Sequence, residues 1–210
     1  MIMIDTEYLA SIPKAHPTPV EVRWGCSFDG RQLALVGFIL EPNGNYIPMS
    51  KNSNQLIPET DAVVFYASTL PGCTISRAVN VFDELRSVLG GCEMKLYFEG
   101  ALGRTEVFIR HLRRHTSHKV RLFRDGQGKW FDPVEVMASV ADDQEMGRIK
   151  MSPSFEERPE RVLLDESTAV IEERVMSPLQ SAFVYGLGYW ACRERRKKFS
   201  VGVGKDFLTW

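Results

Sequence analysis

Three of the four histidines fall close together, as His111, His115 and His118. On a helix, offsets of four and three bring all three imidazoles to one face, an arrangement suited to zinc. Thr105 to Leu112, however, is dense in strand formers, and on a strand the same offsets scatter the rings. No metal site is assigned on this basis. The same stretch is strongly basic: Arg104, Arg110, Arg113, Arg114, Lys119, Arg121 and Arg124 lie within 21 positions. A second basic run comprises Arg193, Arg195, Arg196, Lys197 and Lys198. Such patches can neutralise phosphates, which makes nucleic acid a conceivable partner through basic loops. The whole chain carries 26 Lys and Arg against 27 Asp and Glu, a formal charge of −1, so no global field draws it to polyanions. The favoured reading has the basic turns balancing an acidic stretch of the same chain, and nucleic acid is not the favoured partner.

His16-Pro17-Thr18 and His115-Thr116-Ser117 also fit a short pattern used for phosphate-ester chemistry. A two-histidine phosphoesterase acting on cyclic phosphates or nucleotides would use His16 and His115 as base and acid. Thr18 and Ser117 would hold the phosphate. Pro17 and Pro19 interrupt the strand that should present the first motif. This reading is the alternative to a protein without catalysis. Nothing matches a nucleophile elbow, a phosphate-cradling glycine loop or a dinucleotide fingerprint.

The elements that must position these residues read mainly as strands. Residues 1–20, with Pro13, Pro17 and Pro19, form an irregular lead-in. Strands are expected at Glu21 to Trp24, Gln32 to Leu40, Ala62 to Ala67, Met94 to Phe98, Thr105 to Leu112 and Val120 to Arg124. Further strands are expected at Lys129 to Val136, Ser181 to Trp190 and Lys198 to Val203. Glu41-Pro42-Asn43-Gly44 and Asp125-Gly126-Gln127-Gly128 supply turn chemistry. Ile75 to Leu89 is ambiguous, with Ala78, Val81, Phe82, Leu85 and Val88 on one helical face and Gly90-Gly91 to end it. Residues from about 141 to 180 are acidic and punctuated by Pro153, Pro159 and Pro178, which suggests an excursion outside the core. The expected fold is mainly β: a two-layer β-sandwich with one or two short helices, spanning residues 21–210 as a single domain with an insertion at about 141–180.

The four cysteines, Cys26, Cys73, Cys92 and Cys192, show no disulfide framework or paired-cysteine motif and read as free thiols in a reducing compartment. No signal-peptide pattern opens the chain, and no window is apolar enough to span a bilayer. A cytoplasmic protein without membrane contact is expected.

Ala182-Phe183-Val184-Tyr185-Gly186 followed by Lys198-Phe199-Ser200-Val201-Gly202-Val203-Gly204 resembles the closing motif of the TerD-like tellurium-resistance and stress-protein family. Trp24, Leu33 to Leu40, Pro42-Asn43-Gly44 and Val63-Val64-Phe65-Tyr66 are similar to that family's opening strands, in the same order. The resemblance implies a β-sandwich and a calcium site. Gln32, Leu33, Ala34, Leu35 and Val36 stand where the family's ligand aspartates fall, so the resemblance carries the fold without the metal and no cofactor is expected. The function it implies is a non-enzymatic interaction module in a stress-response or phage-related assembly, with protein partners. Its binding surface would be Arg110, Arg113, Arg114, His115, Arg195, Arg196 and Trp210.

Overall fold

The computed structural model describes residues 21–48, 54–90, 94–98, 104–122, 133–156, 176–188 and 190. Its centre is one mixed sheet of six strands: β1 (Glu21–Phe28), β2 (Gln32–Pro48), β3 (Leu56–Pro71), β4 (Lys95–Phe98), β5 (Lys119–Leu122) and β6 (Ile149–Met151). Their order across the sheet is β5-β4-β1-β2-β3-β6. The first three strands form an antiparallel meander. β4 joins parallel to β1, β5 parallel to β4, and β6 parallel to β3. The intervening helices are α1 (Ile75–Val88), α2 (Arg104–His115), α3 (Pro133–Glu145) and the single turn α4 (Pro153–Glu156). A fifth helix, α5, covers 178–188.

Both faces of the sheet are buried, which is why Leu33 to Ile39 reads as an unbroken apolar run. Along β2 the side chains alternate. Leu33, Leu35 and Ile39 pack with Trp24, Phe65, Phe82, Leu85, Ile109 and Leu112 beneath α1 and α2. Ala34, Val36 and Phe38 face the other way, against Val136, Val140, Phe155, Leu179, Phe183, Leu187 and Trp190. The expected two-layer β-sandwich is therefore not formed. A parallel strand pair needs a crossover connection, and α1 and α2 are those crossovers.

Three expected strands are helices. Thr105 to Leu112 lies in α2, with Thr105, Phe108, Ile109 and Leu112 buried at helical spacing. Pro133 to Val136 opens α3, Pro taking the first helical turn where it sacrifices no bond. Ser181 to Leu187 belongs to α5, whose 181–184 and 186–188 are all buried; a helix wrapped in protein on nearly every side shows no polar face. The acidic stretch is no excursion over its described part, since Asp143, Arg148, Ile149 and Phe155 are buried. The readings at residues 1–20 and 198–203 lie outside the described residues.

Candidate functional site

α2 sets the surface chemistry on one side of the molecule. Its apolar face pins it to the sheet: Phe108 stacks on Phe28 at 3.9 Å between ring centroids, and the buried Thr105 hydroxyl donates to the Phe28 carbonyl at 2.7 Å. With that face committed, Arg110, His111, Arg113, Arg114 and His115 stand exposed. Arg113 reaches β5, its Nε and Nη2 donating to the Val120 carbonyl at 3.3 and 3.2 Å. Lys119 and Arg121 are the exposed residues of β5 and alternate with Val120 and Leu122, which pack against the core beneath α1 and α2. They therefore point to the opposite face of the sheet. Arg86, at the end of α1, donates from Nη1 to the Ser117 hydroxyl at 3.3 Å and closes the patch on its other flank. Among the described residues, Glu106 lies 3.4 Å from Arg110, and Asp83 lies 3.3 Å from His118.

The predicted residues therefore divide. Arg110, Arg113, Arg114 and His115 do share one helix and one region, as does Ser117 just beyond it. His16, Thr18, Arg195, Arg196 and Trp210 lie outside the described residues. Of the clustered histidines, His111 and His115 line one groove with Ile75, Ser76, Val79 and Asn80 of α1. His118 turns inward instead. Its side chain is 2% exposed, T-stacked with Phe82, and its Nε2 lies 3.3 Å from an Asp83 oxygen. Burial pushes the His118 pKa below the ordinary imidazole value, outweighing the opposite pull of Asp83.

On the far side, β3, α3 and β6 build a second polar cluster that sequence reasoning missed. Arg148 lies 2.9 Å from Asp143, 3.6 Å from Glu59 and 4.0 Å from Asp61, with its guanidinium 5.0 Å from the Trp190 ring centroid. Lys150 pairs with Asp61 at 2.7 Å, while Asn43 donates to both Asp61 and Glu59. The only signal for it was a set of acids near strand ends, indistinguishable from solvated charge. These contacts tie β3, α3 and β6 together through one buried guanidinium.

The carboxyl ends of the parallel strands, where open α/β sheets hold ligands, are occupied by Phe28, Phe98 and Phe108. Asp29 follows β1 but is committed to its turn, Oδ1 accepting from the Arg31 and Gln32 amides at 2.8 and 2.9 Å. Slight burial favours its neutral form, yet those amides outweigh it and hold the carboxyl below its usual range. Cys26 is buried in β1 and its desolvated thiol is pushed well above its ordinary value, opposed by a bond with the Tyr97 backbone. Cys26 and Cys73 are free thiols.

Among known structures the chain is similar to the nuclease domain of the P22 large terminase, at 9% identity and a TM-score of 0.54, covering 86% of this chain and 84% of that one. It also matches the large terminase nuclease from thermophilic phage G20c, at 11% identity and a TM-score of 0.47, covering 83% of each chain. A third match is RuvC from Thermus thermophilus, at 10% identity and a TM-score of 0.42, covering 84% of this chain and 98% of that one. No protein-family model and no curated protein matches the chain. The likeness to the P22 domain is one of fold, a mixed α/β sheet covered by helices, so the TerD-like resemblance is overturned, and with it the stress-protein interaction module. The two-histidine phosphoesterase is likewise unsupported: the strand required to present His115 is a helix. No helix among the described residues is long and apolar enough to cross a membrane.

Proposed function

We propose that this protein acts on nucleic acid, gripping the phosphate backbone with the cationic face of α2. The observation that carries the reading is the grouping of Arg110, Arg113 and Arg114 on the exposed face of one helix, in a chain whose net charge is near neutral. The likeness of the sheet to a terminase nuclease domain supports the same class of ligand. Guanidinium groups suit phosphate because their planar donors match its oxygens, and released counterions drive the association. No feature of this surface reads base edges, so backbone binding without sequence preference is the form proposed. Fluorescence anisotropy with labelled duplex and single-stranded DNA, across a salt series, tests it. Binding that steepens as salt falls is the expected result, and no binding at low salt refutes it.

Strand cleavage is the second reading, favoured by the P22 nuclease domain's fold likeness. Hydrolysis by paired metal ions takes several converging carboxylates. Among the described residues no group of three or more His, Cys, Asp or Glu side chains is placed to hold a metal. β1 carries no acid from Val22 to Phe28, and Asp29 is held by its turn. These residues do not fit a metal pair, so no hydrolytic step is assigned to them. Glu99, directly after β4, lies outside the described residues. Incubating plasmid DNA with the chain in Mg2+ or Mn2+ separates binding from cutting.

A further inference from the structure

The groove between α1 and α2 has a chemistry that phosphate binding does not use. His111 and His115 stand four residues apart on α2, and on a helix that spacing places two side chains on one face with Cβ atoms about 5–6 Å apart. Both are exposed, and both line the same groove of about 480 Å³. Its opposite wall is α1, where Ser76 and Asn80 contribute oxygen atoms beside the apolar Ile75 and Val79. None of the arginines of α2 lines it.

We infer that His111 and His115 form a two-imidazole chelate for a divalent transition-metal ion of the zinc or nickel kind. Neutral imidazole is a preferred ligand for these ions, and a pair at this helical spacing is a known way to present two nitrogens to one zinc. The helix that removes the expected strand is what creates the site, because only at helical pitch do positions 111 and 115 converge. His118 takes no part: it is buried against Asp83 on another face. The remaining coordination positions are open to water or to the oxygens of Ser76 and Asn80.

Isothermal titration of the full chain with Zn2+, and separately with Ni2+, at about pH 7.5 tests the inference. The His111→Ala, His115→Ala and double variants are titrated alongside. Both positions are exposed, so folding is retained in the variants, and circular dichroism checks it. Losing even an outer-sphere partner lowers metal affinity roughly 10–100-fold, so each single variant should lose at least about tenfold. The double variant should lose the phase entirely. Identical titrations for the wild type and the double variant, whether both bind or neither does, overturn the chelate. DNA binding is a separate measurement, so failure of one reading leaves the other standing.

Discussion

Asp143 Oδ1 and Arg148 Nη1 meet at 2.9 Å with both side chains buried, Asp143 at 1% exposure and Arg148 at 10%. The guanidinium also stands between Glu59 and Asp61, so one cation offsets acids from β3 and α3 together. Removing one partner of a buried pair strands the other without compensation and costs about 3–5 kcal/mol. Arg148→Ala should therefore lower stability by that amount in urea unfolding. An effect below about 1 kcal/mol, typical of a surface pair, would remove the cluster from the structural core.

Gly25 and Gly186 let α5 lie directly on β1. A Cβ at Gly25 would come within 2.0 Å of the Ala182 carbonyl oxygen, and one at Gly186 within 2.5 Å of the Gly25 Cα. Backbone atoms cannot step aside as a side chain can. Either Gly→Ala change should cost at least the roughly 1–3 kcal/mol of ordinary overpacking and lower the midpoint of thermal unfolding. A neutral substitution would contradict the close crossing.

His118 predicts a pH dependence with a definite sign. Burial lowers its folded pKa below the unfolded value near 6.5, so the unfolded chain binds the proton more readily. Its contribution is whole above the unfolded value and is lost as pH falls from about 6.5 towards the folded pKa. Urea midpoints measured from pH 7.5 down to 5 should fall more steeply for the wild type than for His118→Gln. Parallel curves would mean that His118 is not the group responsible.

The nucleic-acid reading predicts a graded loss. Each of Arg110→Ala, Arg113→Ala and Arg114→Ala that removes a phosphate contact should weaken binding alike for all sequences and reduce the salt slope by about 1. A triple variant with an unchanged slope would place the ligand elsewhere.

How legible was this in the chain? The antiparallel meander was readable in part, since Glu21 to Trp24 of β1 alternates and the centres of β2 and β3 are apolar runs. The expected turn at Glu41-Pro42-Asn43-Gly44, however, lies inside β2, where the pairing with β3 only shifts register. α1 showed its face through Ala78, Phe82 and Leu85, with Thr74 accepting from the Arg77 amide to start it. α2 misled because Thr105, Val107, Phe108 and Ile109 are strand formers individually, and local preference yielded to tertiary packing. The buried set 105, 108, 109 and 112 was a helical signal hidden beneath that composition. α5 gave none, because Ala182, Phe183, Val184 and Leu187 pack where polar residues would have revealed the period. Reading those two helices as strands produced the sandwich, and with it the mistaken family. The basic cluster of the candidate site was plain from residue types, but its convergence on one face depended on the helix.

Arg148 does one thing more than balance charge. Its carbonyl accepts the Ala62 amide at 2.9 Å, and its Nη2 donates to the Thr60 carbonyl at 3.1 Å, while Trp190 Nε1 donates to the Thr60 hydroxyl at 3.0 Å. Where β6 begins, a side chain thus carries the ladder on, sealing a border of β3 that would otherwise invite a foreign strand. Weakening this seal should first show itself between molecules, as concentration-dependent self-association, before any one of them unravels.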